Sequence, residues 1–199
     1  GGLNRHRFLP FIDLLKTRVD VLYLDSPTDY RLDRLKGYPV WFKPLGSFAR
    51  SEMDNAFIRM TGGAEAKRTN IAVKGREVII PSSAQGVARF EFTDLCAANL
   101  GAVDYLELAR TFHTIFIDNI PVLSPERRNE AIRFVNLIDA LYEHKVKLLA
   151  SAEANPSELY PLGDSAFEFR RTASRLHEMQ SEDYFGLGQN SGTDMIEEV

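Results

Sequence analysis

Two short apolar runs constrain this chain more than anything else in it. TIFI at 114–117 and VKLLAS at 146–151 each have the length of a strand, and Ser124-Pro125-Glu126 between them marks a helix start. The three residues act differently: a side-chain cap, a proline whose missing N–H has no partner to lose in the first turn, and an acid at the positive helix end. The helix that follows carries Ala131, Phe134, Val135, Ile138, Leu141 and Tyr142 at i, i+3, i+4, i+7 spacing, the stripe of an element packed on one face. Strand, helix and strand at such short intervals form a crossover unit with parallel strands. AVDYLELARTF (102–112) adds a helix before the first strand. A capping box at Ser165 and Glu168 opens a last helix that ends near Gln180.

Upstream, residues 8–18 form an amphipathic helix on the stripe Phe8, Phe11, Ile12 and Leu15, and VDVLYL (19–24) is a strand apolar on both faces. YPVWF (38–42) fits an edge strand, because Pro39 cannot donate to a ladder. Phe48, Met53, Phe57 and Ile58 space a helix from Ser47 to about Met60, and TGGAEAKRTN (61–70) is a connector. NIAVKGREVIIP then gives two strands around Lys74-Gly75, and GVARFEF (86–92) a third. Three short strands are too few to stand alone and must lean on their neighbours. The class is α/β with a small antiparallel β unit, and the Gly-, Asn-, Ser- and acid-rich tail from Gly186 is expected to be disordered.

Charge and composition exclude several roles. The formal net charge is −4 and the basic clusters at Arg5–Arg7 and Lys67-Arg68 are short, so no nucleic-acid partner is expected. Cys96 is the one cysteine, a small buried hydrophobe in FTDLCAANL. His6, His113, His144 and His177 are scattered, so no metal site is expected. No apolar run approaches the ~20 residues that span a bilayer, so no membrane span is expected.

Three stretches carry chemistry worth weighing. Gly62-Gly63-Ala64-Glu65-Ala66-Lys67-Arg68-Thr69 fails as a phosphate loop, because Ala66 and Arg68 stand where a glycine and a hydroxyl are needed around the lysine. TIFIDNIP (114–121) ends an apolar strand on Asp118, the way nucleotide-hydrolysing α/β proteins place a magnesium-orienting carboxylate. Its neighbour Asn119 is an amide that cannot take up a proton, and a strand ending in Asp is common, so Asp118 either places such a carboxylate or simply ends a strand. Arg171 and Arg175 lie one turn apart on a helical face bracketed by Glu168 and Glu178, which makes either an exposed ion-pair ladder or a pair that senses an anion. A helix starting near Pro10 also puts Arg5, His6 and Arg7 at its positive end, where each cation is disfavoured by about 0.3–1 kcal/mol.

The text itself resembles a known family. GLNRHRFLPFIDLL, VDVLYLDSPTDYRL, VKGREVIIP, ARFEFTDLCAANLGAVDYLELA, FHTIFIDNIPVL, RFVNLIDALYEHKVKLLASAEANPSELY and FEFRRTASRLHEMQSEDY are similar to segments of the ZapE-type AAA+ ATPases, over roughly residues 2 to 185. These occur as bacterial cell-division ATPases and as mitochondrial relatives. The resemblance implies a P-loop core that uses ATP and Mg²⁺, with the Walker A loop, Walker B strand and sensor 1 all preceding the GLNR segment. The chain is then expected to be a C-terminal piece that does not hydrolyse ATP alone. Residues 1–45 would end the nucleotide core, 46–69 form a helical connector, 70–185 a C-terminal α/β region with its β unit at 70–92, and 186–199 the acidic tail. The first arginine of GLNRHRF looks like an arginine finger acting on a neighbouring subunit's ATP, so Arg5 takes that role, with Arg7 as the alternative. Implied partners are subunits of a homo-oligomer and a cell-division ring protein, in a bacterial cytoplasm or alternatively a mitochondrial matrix. A non-enzymatic module that recruits a protein partner is the rival reading. TIFIDNIP, the helix after it, VKLLASA and NPSELY also repeat the order from Walker B strand to sensor 1, so Asp118 and Asn119 are read as a degenerate Walker-B-like pair. That echo requires strands 114–117 and 146–151 to pair.

Overall fold

A computed structural model describes residues 37–161 and 166–187, the side chains of 166–168 excepted. Arg5, Arg7, the helix expected at 8–18, the strand at 19–24, the Ser165–Glu168 capping box and the tail beyond Leu187 lie outside the described residues.

The order is β1 (Trp41–Phe42), α1 (Ser47–Thr61), β2 (Lys67–Val73), β3 (Arg76–Ala84), β4 (Val87–Glu91), a π turn (Thr93–Ala97), α2 (Ala102–Thr111), β5 (Thr114–Ile120), a 3-10 turn (Pro125–Arg127), α3 (Arg128–Glu143), β6 (Lys147–Ala152), a 3-10 turn (Pro156–Glu158), α4 (Ala166–Glu178) and α5 (Glu182–Phe185). Among the described residues one six-stranded sheet runs β1-β6-β5-β4-β3-β2. β1, β6, β5 and β4 are mutually parallel, and β3 and β2 extend the sheet antiparallel. The pairing of β5 with β6 meets the condition set by the sequence echo, and the antiparallel unit leans on β5 through β4.

Helices cover both faces. Tyr105 and Leu108 of α2, Phe134 and Ile138 of α3, and Phe169 and Leu176 of α4 pack with Ile115, Ile117 and Leu148. On the other face Ala49, Met53, Ala56, Phe57 and Met60 of α1 pack on Val87, Phe116 and Leu149. Thus β1 hands the chain to one face while β4, β5 and β6 hand it to the other, the arrangement that opens a crevice beyond the strand ends.

Several elements differ from the sequence expectation. β5 does not end at Asp118 but continues to Ile120 through a bulge, with the register shifting after Ile117. Asn119 sits at φ +59°, a left-handed conformation Asn tolerates better than most residues. β2 starts at Lys67, inside the stretch read as connector, because Ser83 offers it a ladder partner. Ser124 makes no side-chain cap; its hydroxyl bonds the Glu126 carboxylate, lowering that group's pKa, and α3 begins after a 3-10 turn. Leu137 joins the buried stripe of α3 while Val135 and Tyr142 are only partly buried.

Both hairpins use two-residue turns with positive φ, at Lys74-Gly75 and Gln85-Gly86. At Gly86 (φ +76°) a Cβ would lie 2.7 and 2.9 Å from the His113 ring, which is held by Thr114 Oγ1 at 2.8 Å and the Gln85 carbonyl at 3.0 Å. Gly86→Ala is therefore expected to destabilise by about 2 kcal/mol, backbone strain plus a displaced ring. Gly75→Ala, with open space around it, should cost less in a urea titration.

Candidate functional site

Beyond the carboxyl ends of β4, β5 and β6 lies a cleft of about 340 Å³, lined by Gly46, Ala49, Arg50 and Asp54 of the α1 region and by Arg89, Glu91, Asp118, Asn119 and Ser151. Period-2 alternation puts Val87, Arg89 and Glu91 on one face of β4. Val87 packs under α1, so Arg89 follows it into the cleft.

Arg89 is the hub. Its Nε donates to Asp118 Oδ2 at 2.5 Å, its Nη2 to Asp118 Oδ1 at 3.2 Å, and its Nη1 to Asp54 Oδ1 at 2.6 Å. The side chain of Asp118 is 10% exposed and that of Asp54 53%, so the first contact is a nearly buried two-pronged pair and the second sits at the cleft mouth. Burial works against the guanidinium charge, but Asp118 and then Asp54 outweigh it and hold Arg89 above its ordinary pKa. The guanidinium also lies 5.8 Å from the Phe57 ring centre, so α1 contributes both an acid and an aromatic face.

The bulge arranges the rest. Asn119 N–H donates to Ser151 Oγ at 2.9 Å and its side-chain amide to Glu91 Oε2 at 2.8 Å. Ser151 Oγ reaches Asp118 Oδ1 at 3.5 Å. Asp94 Oδ2 accepts the Glu91 N–H at 2.9 Å, fixing the turn after β4. Both oxygens of Asp118 are thus committed to one guanidinium, and the amide beside it is tied to Glu91. This is a closed ion network rather than a carboxylate pair poised on a metal or a water. Among the described residues no group of three or more His, Cys, Asp and Glu is placed to hold a metal ion.

The two helix arginines part company. Arg175 bonds Asp139 of α3, lies 3.7 Å from Glu143, and stacks 4.8 Å above the Tyr142 ring. Glu178 accepts the Tyr142 hydroxyl at 2.8 Å. The contacts of Arg175 and Glu178 run from α4 to α3 rather than along one helix as a solvated ladder; Arg171 is exposed. Sequence reading found Asp118 and Asn119 but missed Arg89, Asp54 and Glu91. The available signal was the charge in the otherwise apolar GVARFEF, and its partner appears only once β4 and β5 are known to be neighbours.

An α/β sheet with helices on both faces and a crevice at its parallel strand ends defines the class, that of doubly wound α/β folds. The AFG1-like ATPase family model matches residues 1–187, and the chain belongs to that family. It is 38% identical to the Cell division protein ZapE of Escherichia coli over 92% of this chain and 49% of that protein. It is 31% identical to the Lactation elevated protein 1 homolog B of Danio rerio over 96% of this chain and 45% of that protein. A protein of Schizosaccharomyces pombe is 36% identical over 83% of the chain and 37% of its own length. The chain thus spans less than half the length of these curated relatives. No solved structure matches it. Among the described residues no helix is long and apolar enough to cross a membrane.

Proposed function

We propose that this chain works as the C-terminal part of an AAA+ ATP hydrolase, supplying Arg5, or alternatively Arg7, in trans to ATP and Mg²⁺ bound by a neighbouring subunit of a homo-oligomer. The family match over residues 1–187 carries the reading. It agrees with a cleft whose Asp118 carboxylate is already neutralised by Arg89, so this chain's own contribution lies in the finger and in packing. A guanidinium fork suits the spread charge of a transferring phosphoryl group, and such a finger is worth roughly 10³–10⁵ in rate. Arg171, being exposed, is the helix arginine left to meet an anion; Arg175 is held by α3. The name of the E. coli relative supports a role in cell division; a cell-division ring protein as partner, and a bacterial cytoplasm or alternatively a mitochondrial matrix, belong to the same proposal.

The full-length protein is expected to hydrolyse ATP with a turnover per subunit that rises with concentration as the oligomer forms, while the 199-residue chain alone gives none. Turnover by the chain alone, or a concentration-independent rate, would overturn the reading. One observation favours the rival, a non-enzymatic module recruiting a protein partner: Phe48 (71% exposed) and Ile58 (57%) share the outer side of α1. Capture of a partner by the isolated chain without nucleotide, lost in Phe48→Ala, would support it.

A further inference from the structure

The Asp118–Asn119 strand is not the only echo of a nucleotide site here. A phosphate-binding unit needs a strand, a loop and a helix whose first turn opens on the cleft that also holds the strand-end carboxylate. β1, residues 43–46 and α1 form that sequence of elements, and Gly46, Ala49 and Arg50 line the same cleft as Asp118, Asn119 and Ser151. β1 stands beside β6, which stands beside β5, so the loop and the carboxylate face one crevice across a single strand.

The chemistry of the loop has gone. Lys43-Pro44-Leu45-Gly46-Ser47-Phe48 has one glycine, a proline that offers no N–H, and no lysine at the helix start to meet a phosphate. What stands in the cleft is a guanidinium. In an active unit the strand-end Asp holds Mg²⁺, and the metal with its phosphates ties the carboxylate to the loop and helix. Here Arg89 bonds Asp118 of β5 through two nitrogens and Asp54 of α1 through the third. It bridges the same two elements, strand end and first helix, with the charge on a side chain of the adjacent strand.

We infer that residues 41–152 are a degenerate phosphate-loop unit in which Arg89 is a built-in cation, so that the cleft is permanently occupied by the protein's own charge and α1 stays docked without any nucleotide. This rests on the degenerate reading of Asp118 and Asn119, not on the finger role of Arg5. The unit is a fixed element that does not itself cycle.

The inference is tested on the 199-residue chain by thermal unfolding, which reads neither turnover nor oligomerisation and so can fail independently of the ATPase proposal. Millimolar Mg·ATP, Mg·ADP or inorganic phosphate should leave the wild-type midpoint unchanged; stabilisation that is lost in Asp118→Asn would show a live nucleotide site and overturn the inference. Arg89→Ala should lower the midpoint by several degrees and become responsive to methylguanidinium at about 10 mM, regaining part of the loss. The wild type and the Arg89→Ala, Asp118→Asn double variant should not respond. A folded Arg89→Ala indifferent to methylguanidinium would refute the built-in cation. If Arg89→Ala does not fold, Arg89→Lys keeps the charge without the fork and should retain a folded chain with a lowered midpoint; failure of Arg89→Lys to fold, or a midpoint equal to wild type, would equally refute it, because a cation lacking the fork should bridge Asp118 and Asp54 only in part.

Discussion

Arg5→Ala in the full-length protein is expected to lower ATP turnover by about three orders of magnitude or more, with the oligomer intact by light scattering. The expectation follows from where GLNRHRF places its charge. On the sequence expectation of a helix starting near Pro10, two arginines at its positive end would oppose the helix dipole, a local cost without local benefit. A helix N-terminus is also where an anion binds well, so a phosphate presented from outside would find both the dipole and the guanidinium aligned toward it. Because the proposal puts the phosphate on the next subunit, the defect should be a property of interfaces. Mixing Arg5→Ala subunits with wild type should depress turnover in step with the fraction of mixed interfaces, and nucleotide binding should survive. Arg5→Lys should recover little, since an ammonium lacks the planar fork. Turnover near wild type in Arg5→Ala, together with a large loss in Arg7→Ala, would move the role two residues along; no loss in either would remove the finger from this segment.

The sequence was most legible where one residue's environment is set by its own element. The strand runs at 114 and 146, the α3 stripe and the Lys74-Gly75 turn all depend on local periodicity or local φ, and they stand as expected, apart from boundaries and from Leu137, which is buried where Val135 and Tyr142 are only partly so. It was least legible where a side chain's partner is distant in sequence. Arg89 reads as an odd charge in a strand until Asp118 is brought alongside it in the parallel ladder, and Asp54 as a solvated helix acid until α1 is laid across β4. Arg175 shows the same limit. Spacing along α4 suggested partners at i±3, but the stronger neighbours are Asp139 and Glu143 of α3, which no one-helix pattern reveals. The bulge at Asn119 was invisible for another reason: apolar Ile120 after Asn119 looks like a loop residue, yet it rejoins the ladder opposite Ala152.

Phe134→Ala should be the most destabilising core substitution, by about 3–5 kcal/mol, lowering the thermal midpoint by roughly 10 °C for a chain of this size. Phe134 is wholly buried at the middle of α3. Its ring is 5.8 Å from Phe92, just after β4, and 6.1 Å from Phe169 of α4, against which it is stacked. Phe169 in turn meets Tyr160 at 5.5 Å, and the Arg127 guanidinium covers Phe92 at 5.8 Å. One ring therefore joins the strand that carries Arg89, the central helix and the last long helix. Its loss removes two aromatic contacts and leaves a hole whose walls belong to three elements that cannot all close inward together. Phe134→Leu, which refills most of the volume, should recover more than half of the loss, and Ile132→Ala, on the exposed side of the same helix, should change stability by no more than about 0.5 kcal/mol. Urea titrations with unchanged slopes would assign these differences to the folded state. Equal midpoints for Phe134→Ala and Ile132→Ala would mean that α4 is not held to the sheet through α3, and the layer order that places the cleft opposite this core would have to be redrawn.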